Sequence, residues 1–202
     1  EEAGIRDTTT FVITGDHGFS RVHSLFQPNV VLRRAGFLKT DAKGNITDWQ
    51  AVLHGMAIRL ADPSDRVVGR RVQGLFEELA STTYKGLFRV VTREKLDERG
   101  AYPEAQFFIE PAEGYYLADG FDEDAFLVGT PRRGAHGFIP TERRMHTGLI
   151  LSGAGIRPGV PVPLARQIDI APTVAKLLGF TMPNVDGVPM EGVLLPAAKP
   201  KP

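Results

Sequence analysis

The sequence predicts an α/β fold whose middle third is more α+β in character. Strand-like runs alternate with segments of helical period, the pattern of a sheet covered by helices. The first of those runs is β-branched and stops at a glycine, where chemistry-bearing side chains begin. At 202 residues the chain can bury one sizeable core and falls short of a case for two domains.

Glu1-Glu2-Ala3-Gly4-Ile5-Arg6-Asp7 reads as the tail of a helix, a glycine stop and a turn. A natural protein rarely opens this way, so an upstream portion is expected, and any signal peptide with it. Thr8-Thr9-Thr10-Phe11-Val12-Ile13-Thr14 is β-branched and aromatic and ends at Gly15, which predicts a buried strand. Residues 29–35 form a short helix entered through Pro28 and ended by Gly36. Residues 41–45 are a turn by composition. Residues 57–60 predict a strand, and residues 65–80 a helix carrying Val68, Val72, Leu75, Phe76 and Leu79 at helical spacing.

Residues 87–91 are a further strand, and Thr92 is the expected N-cap of a helix that Gly100 follows. Residues 106–110 and 114–118 predict an antiparallel pair around Pro111. Residues 129–144, rich in Gly, Pro and Arg, read as a loop, and residues 147–153 as a small buried strand. Residues 168–178 form a helix ended by Gly179, and a Pro/Lys/Ala tail closes the chain.

Composition removes several function classes. Hydrophobic residues make up 42% and charged residues 24%, ordinary for a globular protein. Lys+Arg and Asp+Glu are both 24, and zero net charge argues against a nucleic-acid-binding surface, which needs surplus basic charge. A local cluster, Arg132-Arg133 with Arg143-Arg144, fits an anionic substrate and equally a solvated charged loop. There is no cysteine, so any metal must be held by His, Asp and Glu. No apolar run is long enough to span a bilayer, and the compartment is left open.

Gly15-Asp16-His17-Gly18 sits where the first strand ends, the end of an α/β sheet that faces ligand crevices. Flanking glycines let the chain turn so that carboxylate and imidazole converge on one ion, a donor set suited to zinc. Four residues alone fit equally well a turn in which Asp16 caps and His17 is solvated. Gly134-Ala135-His136-Gly137-Phe138 again places a histidine between small residues in a loop, where a ligand can approach. His146 reads as structural or supporting, and His23 and His54 as ordinary surface residues.

Residues 7–19, Asp-Thr-Thr-Thr-Phe-Val-Ile-Thr-Gly-Asp-His-Gly-Phe, resemble the Asp-His-Gly strand of the alkaline phosphatase superfamily. Residues 134–140 with Met145-His146-Thr147-Gly148-Leu149-Ile150 are similar to its later His-Gly segment. Gln167-Ile168-Asp169-Ile170-Ala171-Pro172-Thr173, then Leu177-Leu178-Gly179 and Asp186-Gly187, resemble the closing helix of its type I phosphodiesterase and nucleotide pyrophosphatase family. Residues 29–38 fit that family too, and the segments follow in the expected order along nearly the whole chain.

The resemblance implies the C-terminal half of an alkaline-phosphatase-like sandwich with a central, largely parallel sheet. Residues 1–35 and 125–202 would form the metal-site core, and residues 36–124 a small inserted α+β subdomain. It implies two divalent metals, usually zinc: Asp16 and His17 on one, His136 on the other, each completed by upstream ligands. The Thr or Ser nucleophile would also lie upstream, leaving the catalytic residue outside this chain and the chain alone inactive. One metal would activate that hydroxyl and the other steady the leaving oxygen, with a covalent phospho-enzyme between the two half-reactions. Ligation needs neutral imidazoles and an ionised Asp16, so activity is expected to fall in acid.

The implied partner is a small phosphate ester or nucleotide, and the resemblance permits a secreted or a periplasmic compartment without fixing one. Two alternatives remain: a phosphonate hydrolase, sulfatase or phosphomutase of the same superfamily, or a metal-free structural or binding module. An incomplete sheet further predicts a chain that is marginally stable or self-associates through its exposed face.

Overall fold

The computed structural model describes residues 3–121 and 124–196, without the side chain of Arg132. The expected helix tail at Glu1-Glu2 and most of the Pro/Lys/Ala tail lie outside the described residues. In chain order the strands are β1 (Thr10–Thr14), β2 (Ser20–Phe26), β3 (Leu38–Thr40), β4 (Ile46–Trp49), β5 (Ala51–His54) and β6 (Ala57–Leu60). They continue with β7 (Phe88–Val91), β8 (Phe107–Pro111), β9 (Gly114–Leu117), β10 (Leu127–Ala135) and β11 (Leu149–Gly153). The helices are α1 (Pro28–Arg34), α2 (Arg66–Ser81), α3 (Arg93–Asp97) and α4 (Ile170–Leu177). Several sheets and these helices make the mixed α/β fold that the sequence predicts. Among the described strands the β2–β9 pairing is parallel and the rest are antiparallel.

The chain divides into two compact units, Glu1–Asp16 with Thr147–Pro202 and His17–His146. The sequence had drawn its boundaries near residues 35 and 125 instead. In the first unit β1 pairs antiparallel with β11, from Thr10 opposite Gly153 to Thr14 opposite Leu149. Side chains alternate faces along a strand, so Phe11, Ile13 and Ile150 share one face. They are 55%, 57% and 60% exposed, so the two strands are covered on one side rather than fully buried as expected. This unit's core is Ile156, Val193 and Leu194, packed by Leu151, Val160, Leu177 and Met190.

The helix ended by Gly179 is α4. Gly179 has φ +83°, and the amides of Gly179 and Phe180 donate to the carbonyls of Lys176 and Ala175, both at 3.1 Å. That is the Schellman closure that a glycine beyond a helix makes possible.

The larger unit holds a four-stranded antiparallel sheet in the order β5-β6-β8-β7, the hairpin β3-β4 and the sheet β10-β2-β9. Asp65 caps α2 by accepting from the amides of Val67 and Val68, at 3.0 and 2.9 Å. The helix buries Val72 and Phe76 in a cluster with Phe26, Phe107, Ile109 and Phe126.

Two expectations change here. The strands flanking Pro111 do not pair with each other: β8 joins β6 and β7, while β9 lies parallel to β2. Gly114, at φ +89°, turns the chain between them, and the Ala112 amide donates to Leu87 instead of extending a hairpin. Much of the expected loop at 129–144 is strand β10, with its register broken between Gly129 and Arg133. The break contains Pro131, which has no N–H to give a ladder, and a bulge is where a strand tolerates that. Among the described residues no helix is long and apolar enough to cross a membrane.

Candidate functional site

Register explains why two distant histidines meet. In the β2–β10 ladder Arg133 lies opposite Val22, Gly134 opposite Arg21 and Ala135 opposite Ser20. Continuing it by one residue carries His136 off the end of β10 beside the segment His17-Gly18-Phe19 that leads into β2. The imidazoles of His17 and His136 stack with centroids 3.9 Å apart and planes 8° from parallel. Phe19 presents its ring edge-on to both, at 5.2 Å from His17 and 5.6 Å from His136.

Glycines make this approach feasible. Gly137 has φ +92°, a conformation that a side chain resists, so the chain can turn sharply just past His136. A Cβ on Gly18 would sit 2.1 Å from the carbonyl oxygen of Arg144, and its amide donates to Met145 at 2.9 Å. His17 is half-buried and donates Nδ1–H to the Gly18 carbonyl at 3.0 Å. That tautomer leaves the lone pair on Nε2, the arrangement by which protein histidines are oriented toward metals.

Asp16 occupies an exposed bend after β1 and belongs to the other unit, the division falling between it and His17. The end of β1 is fixed locally by Gly15 N–H donating to Thr147 Oγ1 and by Thr14 Oγ1 donating to Gly148, both at 3.0 Å. Among the described residues no group of three or more His, Asp or Glu side chains is assembled to hold an ion. A tetrahedral zinc site needs about four donors. Two imidazoles side by side therefore fit part of a binuclear donor set.

The other histidines are accounted for structurally. His146 is exposed and closes the 3-10 turn Arg143–Met145 through its amide, 3.0 Å from the Arg143 carbonyl. His23 packs over Gly114, its Nδ1 2.9 Å from Ser24 Oγ and its ring edge-on to Tyr115 at 5.1 Å. His54 is exposed at the end of β5. Of the basic cluster, Arg143 and Arg144 line a cleft of about 470 Å³ with Arg89, Glu110, Glu113 and Glu142, while Arg133 is exposed elsewhere on β10.

Glu110 is a residue that motif reading passed over. It is 3% exposed, Oε1 accepts from the Ile139 amide at 3.3 Å, and Oε2 meets no hydrogen-bond partner among the described residues. Burial pushes its carboxyl up to about 7, against the downward pull of the Ile139 amide, Arg89 and Arg144. The signal was available: an acidic residue inside the run Phe107-Phe108-Ile109-Glu110-Pro111 stands where a strand is otherwise apolar.

Residues 1–139 match the family model described as type I phosphodiesterase / nucleotide pyrophosphatase. Among solved structures, the chain is similar to murine ectonucleotide pyrophosphatase / phosphodiesterase 5, with a TM-score of 0.62 and 17% identity. It is similar also to an inactive variant of that murine protein in complex with AMP (0.59, 17%) and to the human protein (0.61, 18%). Each of these matches covers 92% of this chain and 45% of the other, so the chain spans less than half the length of these relatives. No curated protein matches it.

Proposed function

The chain belongs to the type I phosphodiesterase / nucleotide pyrophosphatase family, and from that premise we propose that it is part of a two-metal hydrolase of phosphodiester or nucleotide pyrophosphate bonds. The observation that carries this reading is the stacked pair His17 and His136, two imidazoles that the β2–β10 ladder brings within 3.9 Å of each other. A zinc pair bound there would supply Lewis-acid stabilisation at both ends of an in-line displacement.

The chain's own residues hold and orient. His17 binds through Nε2, kept in that tautomer by the Gly18 carbonyl. His136 would serve the other ion. A Thr or Ser upstream of this chain would take the phosphoryl group covalently. This chain alone is therefore inactive, and substrate selection falls to residues outside it.

Zinc content after exhaustive dialysis tests the reading, measured on the chain and on His17→Ala and His136→Ala variants. Bound zinc that each substitution lowers, His17→Ala at one ion and His136→Ala at the other, is the expected result. Zinc retained in full by both variants refutes these ligands. For the longer polypeptide carrying this chain, hydrolysis of phosphodiesters in preference to phosphate monoesters and sulfate esters is expected. Zinc-free material that hydrolyses none of them would sink the hydrolase assignment.

A further inference from the structure

The segment that carries His136 is clamped from one place, the end of β8. Glu110 Oε1 accepts from the Ile139 amide at 3.3 Å, three residues beyond His136. From the next residue of β8, the Pro111 carbonyl accepts from the Arg144 guanidinium at 3.4 Å, and that guanidinium lies 4.4 Å over the Phe138 ring. Ile139 itself is buried with Ala57, Val91, Leu96 and Ala105. The same segment reaches the other imidazole, because the Met145 carbonyl accepts from Gly18, next to His17. One strand end thus fixes the backbone on both sides of the ring pair.

We propose that Glu110 is the positioning residue that holds His136 against His17. The inference rests on the metal reading above and adds a residue that touches neither metal nor substrate.

Its chemistry gives the clamp a pH dependence. The charged groups facing the carboxyl are Arg89, its cross-strand partner on β7, and Glu142 and Arg144 on the clamped segment. Arg89 and Arg144 favour ionisation, Glu142 opposes it, and burial outweighs them, leaving the group half-protonated near pH 7 against an ordinary value of 4.5. If the segment lifts away, Glu110 returns to water and to its ordinary acidity. The clamped arrangement therefore binds the proton more tightly, is fully favoured below 4.5, and loses ground as pH rises from there to about 7. Between those two values linkage makes opening about tenfold easier per pH unit, and above about 7 both arrangements are ionised and the dependence levels off.

Amide hydrogen exchange at Ile139 reads this directly, on the metal-free chain and on Glu110→Gln and Glu110→Ala variants. After correction for intrinsic base catalysis, wild-type protection should fall about sevenfold between pH 5 and pH 6 and level off above about pH 7.5. Glu110→Gln, which keeps an acceptor oxygen and cannot ionise, should stay protected throughout. Glu110→Ala should be unprotected at every pH, and its His136 ring resonances should move as they do in His17→Ala, where the stacking partner is gone. Equal protection in all three proteins, or wild-type protection that stays flat from about pH 5 to about pH 7, overturns the proposal. Because no metal is present, the exchange result stands whichever way zinc titrates, so the two readings fail separately.

Discussion

Gly18 carries a steric constraint that residue type alone does not reveal. Its neighbours in space are backbone, with the Arg144 carbonyl oxygen 2.1 Å and the His146 carbonyl oxygen 3.0 Å from where a Cβ would stand. Backbone cannot rotate away as a flexible side chain can, so Gly18→Ala must part the two segments. A cost of at least the ~1–3 kcal/mol typical of overpacking is expected, together with a displaced His17. Urea denaturation and the His17 ring resonances check both, and an unchanged ring signal would show that the two segments can part without moving it. At this scale the sequence is legible where chemistry is concentrated: Asp-His and His each stand between glycines or small residues. It is illegible for Glu110, whose role depends on an amide 29 residues away that no local pattern announces.

Elements read best where their own period or a terminal residue decides them. The helix expected from residue 65 is α2, because Val68, Val72, Leu75, Phe76 and Leu79 lie on one stripe and Asp65 satisfies two orphan amides. These two features can be weighed against each other. Asp65→Ala removes a cap worth ~1 kcal/mol, whereas Phe76→Ala empties a fully buried aromatic site and should cost ~3–5 kcal/mol. Urea midpoints of the two variants should keep that order, and the reverse order would mean that the helix depends more on its end than on its packed face. Strands that depend on distant partners were harder to read. β2 went unrecognised, and β9 was given the wrong neighbour, because their pairing joins segments about 90 residues apart in sequence. β10 hid behind Pro131 and four glycines or arginines whose bulge becomes intelligible only beside β2.

At the scale of the whole chain the two units differ in how much apolar surface each encloses. The larger has a continuous core from Phe26 and Leu32 through Phe76 to Phe126, whereas the smaller encloses Ile156, Val193 and Leu194. The smaller unit also carries a two-stranded sheet, β1 with β11, and an isolated pair of strands is marginal in water unless something packs on it. One side of that pair displays Phe11, Ile13 and Ile150, a contiguous apolar cross-strand patch. Among the described residues β1 and β11 are each paired on one side only, and an edge of that kind can template a further strand. A patch of that kind on an open sheet favours association, since burial of apolar area is the driving force and the edges supply the hydrogen bonds. The isolated chain should therefore sediment as a concentration-dependent dimer. Ile13→Lys, which puts a charge at the centre of the patch while leaving the Ile13–Ile150 backbone register intact, should return it to monomer. Sedimentation velocity over a hundredfold range of concentration decides the matter, and a wild-type chain monomeric throughout would show that the exposed face is tolerated without a partner.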